Sequence, residues 1–145
     1  MVRKFLQRLK EIDLPREAQI VDSYFNFGIL WDNSNHCDVE VMILVETSLS
    51  PAELESILDK ARIKAPFSQE YRFPEIMFLE DNQLLSIDYK ITKIIQPSYK
   101  ADKSDVDFLI NFIKKHNTME KMNYFLVRTW DQTYSGYSMN DLRCY

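Results

Sequence analysis

The sequence predicts a two-layer α+β fold in which a mainly antiparallel sheet carries helices on one face. In three stretches the apolar residues recur at the three-and-four spacing of a helix, and between them they alternate with polar residues as in strands. The predicted order is helix, hairpin, helix, hairpin, helix, followed by one element that could be either a helix or a strand. The 145 residues match the usual size of one core. We therefore expect a single domain over residues 1–145.

The first helix is predicted by an apolar stripe from Val2 to Ile12, and Pro15 follows it. Residues 19–46 then change to the period of a strand and predict a long hairpin around the polar turn 32–35. Along its second strand, four alternate side chains are predicted to face the core: Val39, Val41, Ile43 and Val45. The others are predicted to lie on a solvent-exposed face: Asp38, Glu40, Met42, Leu44 and Glu46.

The second helix has three start signals, since Ser50 can cap it, Pro51 suits its first turn and Glu53 can complete a capping box. We expect this helix to continue to Pro66, with basic residues in its last turn.

A second hairpin is predicted from the strands 73–79 and 85–91, and a third helix from Ser104 to residue 117. Residues 119–130 fit both a helix and a strand, because their apolar side chains satisfy either spacing. The type of this element therefore stays open.

Composition excludes several familiar classes of enzyme. Two glycines are too few for the phosphate loop, the dinucleotide fingerprint or the nucleophile elbow. Two histidines and two separated cysteines form no zinc pattern, so we predict neither a metal nor a cofactor.

We expect a cytoplasmic protein with two free thiols, because Cys37 and Cys144 are too few for the disulfide framework of a small secreted domain. The first ten residues contain no uninterrupted apolar stretch typical of a signal peptide. No apolar run approaches the roughly 20 residues of a membrane helix, so no membrane contact is expected.

Charge is unevenly distributed along the chain. Residues 32–81 contain 11 acidic and 4 basic residues, although the whole chain has a net charge of −4. This imbalance disfavours nucleic acid, whose binding depends on lysine and arginine, and favours a basic protein partner. An acidic surface that serves only solubility remains the alternative.

The leading functional hypothesis is a non-catalytic protein-binding domain, of the kind found in chaperones, adaptors and immunity proteins, that docks a basic partner. Binding is favoured over catalysis, and a homodimer is compatible with an open sheet. Acidic residues around two apolar ones are typical of a docking patch. The candidate partner-binding residues are Asp38, Glu40, Met42, Leu44, Glu46 and Glu53.

Two alternatives remain. A magnesium-dependent nuclease of the restriction-endonuclease-like class could use Glu75 and Asp88 to hold the metal and Lys90 to steady the attacking water. A domain that binds a small apolar ligand could line its pocket with aromatic residues. The candidates for that pocket are Phe25, Phe27, Trp31 and Tyr89.

Overall fold

The computed structural model describes residues 1–28, 36–77, 111, 115 and 123–134. Within these residues two helices pack on one face of a four-stranded antiparallel sheet, which confirms the predicted α+β class. The elements, in chain order, are α1 (Val2–Lys10), β1 (Ala18–Gly28), β2 (His36–Thr47), α2 (Pro51–Leu58), β3 (Ile63–Lys64), β4 (Tyr71–Arg72), β5 (Glu75–Met77) and β6 (Asn123–Tyr134).

The N-terminal elements follow the sequence pattern closely. Helix α1 buries Phe5 and Leu9, which lie one turn apart on its apolar stripe. Strands β1 and β2 pair antiparallel, from Ala18 opposite Thr47 to Gly28 opposite Asp38, with one irregularity near Ile20. The predicted first helix and first hairpin are therefore confirmed.

Helix α2 begins as predicted and ends earlier than predicted. The Ser50 hydroxyl accepts a hydrogen bond from the Glu53 amide, and the Glu53 carboxylate accepts one from the Ser50 amide. The helix nevertheless ends at Leu58, so the expected continuation to Pro66 is wrong. The Arg62 guanidinium donates to the carbonyls of Asp59 and Ala61, and the chain then turns into β3.

The segment that fits both a helix and a strand forms strand β6, which lies in the middle of the sheet. The order of the four strands is β1-β2-β6-β5. Strand β6 pairs with β2 along twelve residues, from His36 opposite Tyr134 to Thr47 opposite Asn123, and with β5 on its other side. The predicted partner strand of β5, 85–91, lies outside the described residues, so the second hairpin stays a prediction. Of the predicted third helix only Asn111 and Lys115 are described, and both are helical.

Both faces of the sheet are buried along β2. The first face, which carries α1 and α2, contains the four predicted core residues together with Phe125 and Val127 of β6. On the second face, Met42 and Leu44 are fully buried, and so are Asp38 and Glu40. The expectation of a solvent-exposed face is therefore wrong for these four residues.

Candidate functional site

The second face of the sheet holds a buried polar network at the centre of β2. Alternation along the strands places Asn26 of β1, Glu40 of β2 and Arg128 of β6 on this face, because Asn26 lies opposite Glu40 and Arg128 lies opposite Met42. We call Tyr24, Asn26, Glu40 and Arg128 the polar network. Each of its members also takes part in contacts beyond those described below.

A buried ion pair forms the core of the polar network. The Nη1 atom of Arg128 lies 2.8 Å from Oε1 of Glu40, and only 4% and 2% of the two side chains are exposed. The Nδ2 atom of Asn26 donates to the other Glu40 oxygen at 3.4 Å. The Tyr24 hydroxyl in turn donates to Oδ1 of Asn26 at 2.6 Å. The network therefore balances one buried negative charge with one buried positive charge and joins three strands.

Glu75 extends this network towards solvent. Its carboxylate lies 3.9 Å from Nε of Arg128, and about half of its side chain (47%) is exposed. The nuclease hypothesis assigns Glu75 to metal binding. The other two residues of that predicted site, Asp88 and Lys90, lie outside the described residues. Within the described residues no group of three acidic, histidine or cysteine side chains could hold a metal ion. The nuclease set stays a prediction.

A second buried carboxylate, Asp131, lies on the first face. Its Oδ2 atom accepts hydrogen bonds from the amides of Phe67 and Ser68, at 2.6 and 3.1 Å. Its Oδ1 atom lies 3.5 Å from Nη2 of Arg72, whose guanidinium carbon is 5.1 Å from the ring centroid of Trp130. Asp131 thus fixes the loop between β3 and β4 to the central strand.

Sequence reasoning did not identify Arg128 or Asp131, because both lie in the segment whose type was open. Once β6 is known to be a strand, their separation of three residues places them on opposite faces. A lone arginine among Leu126, Val127 and Thr129 was the available signal, since a charge inside a buried strand needs a partner.

The six predicted partner-binding residues do not form one exposed patch. Asp38, Glu40, Met42 and Leu44 are buried, and Glu46 is half-buried with its carboxylate accepting a hydrogen bond from the Tyr124 hydroxyl. Glu53 on α2 is exposed. Alternation correctly placed the five β2 residues on one face, but it carries no information about what shields that face. Their role in partner binding stays a prediction.

The hydrogen bonds from Ser50 hold the pKa of Glu53 below its ordinary value of 4.5, and the hydroxyl of Ser50 contributes more than its amide. Glu53 is therefore a fixed negative charge at the start of α2. Glu55 and Asp59, also exposed, follow on the same helix and its C-cap.

The aromatic residues proposed to line an apolar pocket are only partly described. Phe25 is 44% exposed. Phe27 packs against the core, with its ring centroid 6.3 Å from that of Phe67. Trp31 and Tyr89 lie outside the described residues, so the pocket stays a prediction.

The prediction of two free thiols is wrong. Cys37, which is buried on β2, is disulfide-bonded. Cys144 lies outside the described residues. Cysteine count cannot show whether two thiols distant in sequence meet in space, and the thiol argument for a reducing compartment no longer holds.

Among the helices of the described residues, none combines the length and the apolar character that crossing a membrane requires. Comparisons with models of protein families, with curated proteins and with solved structures give no match. The functional argument therefore depends on the residues and contacts described above.

Proposed function

We propose that this protein is a non-catalytic protein-binding domain that docks a basic partner through the exposed acidic residues of α2 and its C-cap. The observation that carries the proposal is the exposure of Glu53, Glu55 and Asp59, while Leu54 and Leu58 of the same helix are buried in the core. The buried leucines fix the helix, so its acidic groups are held in place rather than carried on a mobile segment.

Two further features support a cationic partner. Glu55 and Asp59 lie one turn apart, so their like charges repel each other, and a bound cation would relieve this repulsion. Hydrogen bonds from Ser50 lower the pKa of Glu53, which therefore stays ionised in neutral and mildly acidic solution. A basic partner would meet three negative charges along one short helix and its C-cap.

The burial of Asp38 and Glu40 changes how the proposal is tested, because reversing either charge would disrupt the interior. Glu55→Lys is the suitable variant, since its side chain is exposed and lies outside the capping box. Glu17→Lys is the matched control, because Glu17 is also exposed and precedes β1.

The experiment is crosslinking of the full chain in extracts of its native host, followed by mass spectrometry. We expect the wild-type protein and Glu17→Lys to capture the same basic protein, and Glu55→Lys to lose it. A purified complex of that protein with the domain should then weaken at high salt. Identical captures by all three proteins, or capture of acidic proteins alone, would contradict the proposal.

A further inference from the structure

Strands β3 and β4 form a small ribbon whose outer face combines two basic and two aromatic side chains. Lys64 lies opposite Tyr71, so their side chains share one face. Arg62 lies two residues before Lys64, and Phe73 lies two residues after Tyr71, so both continue the same face. The guanidinium carbon of Arg62 is 3.8 Å from the ring centroid of Phe73. We call Arg62, Lys64, Tyr71 and Phe73 the cationic–aromatic face.

The cationic–aromatic face is directed towards solvent. Tyr71 is 63% exposed and Phe73 is 51% exposed, whereas Ile63 and Ala65, on the other side of the ribbon, are buried in the core. The ribbon therefore already has an apolar side that anchors it. Its two exposed rings are additional apolar surface, and exposed aromatic residues beside charges are typical of protein-binding sites.

One hydrogen bond within the ribbon and contacts from two other elements hold it in place. The Ala65 amide donates to the Glu70 carbonyl at 2.8 Å, closing the turn between the two strands. The Arg8 guanidinium of α1 donates to the Lys64 carbonyl at 2.6 Å. Asp131 of β6 holds the amides of the intervening loop. A partner would therefore bind a preformed surface and lose little free energy in ordering it.

The charges of this face are available to a partner. Within the described part of the chain, no carboxylate forms an ion pair with Arg62 or Lys64. The hydrogen bonds of Arg62 go to the backbone carbonyls of Asp59 and Ala61, which do not neutralise its charge. Arg8, also exposed, adds a third cation beside Lys64.

We propose that the cationic–aromatic face docks a short acidic segment of a partner protein, one that also carries an apolar or aromatic side chain. Carboxylates would pair with Arg62 and Lys64, and the apolar side chain would pack on Tyr71 and Phe73. The inference rests on the proposed function in taking the domain to act by binding proteins, but it uses a different surface.

The overall charge of the chain favours a short segment over a long polyanion. Single-stranded nucleic acid could stack on exposed rings, and its affinity depends on many phosphate contacts along an extended basic surface. Here the cationic–aromatic face and the adjacent Arg8 supply three cations, on a chain whose net charge is −4. A short acidic segment touches only the ribbon, and charges more than about 8 Å away are largely screened in physiological salt.

The test uses the full chain and two fluorescein-labelled peptides, read by fluorescence anisotropy. One peptide is rich in glutamate and contains one leucine and one phenylalanine. In the other, lysine replaces every glutamate. We expect the acidic peptide to bind, and Tyr71→Ser and Arg62→Glu each to weaken it by about tenfold. Arg16→Glu is the matched control for charge, since Arg16 is exposed and precedes β1, and it should bind like the wild type.

Three results would overturn the proposal. The first is equal binding of the acidic peptide by Arg62→Glu, Tyr71→Ser and the wild type. The second is tighter binding of a labelled oligothymidine that depends on Tyr71. The third is a wild-type protein that sediments as a dimer and does not bind the acidic peptide, together with a Tyr71→Ser variant that sediments as a monomer. This combination would identify a second copy of the chain as the occupant of the face. Circular dichroism of each variant checks its folding, and none of these results decides the crosslinking test of α2.

Discussion

Glu40 and Asp131 are both fully buried carboxylates on neighbouring strands, but they lie on opposite faces of the sheet and bind different kinds of partner. Glu40 pairs with the charged side chain of Arg128. Asp131 accepts two backbone amides and has Arg72 at a longer distance. The first arrangement joins strands inside the sheet, whereas the second fixes a loop to the sheet. Loss of Glu40 contacts should therefore weaken the whole fold, and loss of Asp131 contacts should loosen one segment.

The largest effect is expected from Arg128→Met. This change leaves Glu40 buried without its cation and should lower the free energy of unfolding by about 3–5 kcal/mol. Urea denaturation measures the loss. The double variant Glu40→Leu with Arg128→Met removes both charges of the buried pair, so it should be more stable than Arg128→Met alone. A double variant that loses the sum of both single effects would show that the two residues do not act as a pair.

The next effect is expected from Asp131→Ala, which removes the acceptor of two amides and should cost about 1–3 kcal/mol. Hydrogen exchange of the Phe67 and Ser68 amides should accelerate more than exchange across β2. Asp131→Asn keeps one acceptor oxygen and should lose less. Uniform acceleration across β2 and the loop would contradict a local role for Asp131.

A smaller effect is expected at the surface, where Ser50 caps α2. Ser50→Ala removes the hydroxyl that accepts from the Glu53 amide and should cost about 1 kcal/mol. Thermal and urea unfolding measure this loss, with Ser56→Ala, an exposed serine within the same helix, as the control. Equal stability of Ser50→Ala and Ser56→Ala would contradict the capping role.

The smallest effect concerns the pH dependence of the same cap. Because folding lowers the pKa of Glu53, its ionised form contributes stability that is fully present above the ordinary value of 4.5. That contribution should be lost as the pH falls below this value through the lowered pKa. The stability difference between the wild type and Glu53→Gln, followed by urea denaturation from neutral to acidic pH, should therefore shrink on acidification. A difference that grows on acidification would contradict this sign.

Local patterns predicted the first helix, the first hairpin and the start of α2, because each depends on neighbouring residues. The sequence did not predict that Asp38 and Glu40 are buried, since alternation shows which side chains share a face but not what shields that face. The sequence predicts the end of a helix where the structure has strand β3. Residues Arg62 to Ala65 alternate between exposed and buried, but four residues are too few to separate the two periods.

The site was less predictable than the fold, for a related reason. The partner of Glu40, Arg128, lies 88 positions away, and nothing local links the two. The sequence therefore predicts an exposed docking residue at Glu40 rather than a buried ion pair. Likewise, Leu126 and Trp130 fit two periodicities, and only the long pairing of β6 with β2 selects the strand. Long-range pairing therefore decides both the type of β6 and the role of its charges.

The central position of β6 has a consequence for synthesis of the protein on the ribosome. Strands β1 and β2 and helix α2 are translated long before residues 123–134, which form β6, the neighbour of β2 on the side away from β1. Until then the nascent chain carries a β2 edge without its native partner, a state that can pair wrongly with other chains. A pause in translation before β6 would prolong this exposure, so the nascent chain should depend on chaperones most strongly in that interval.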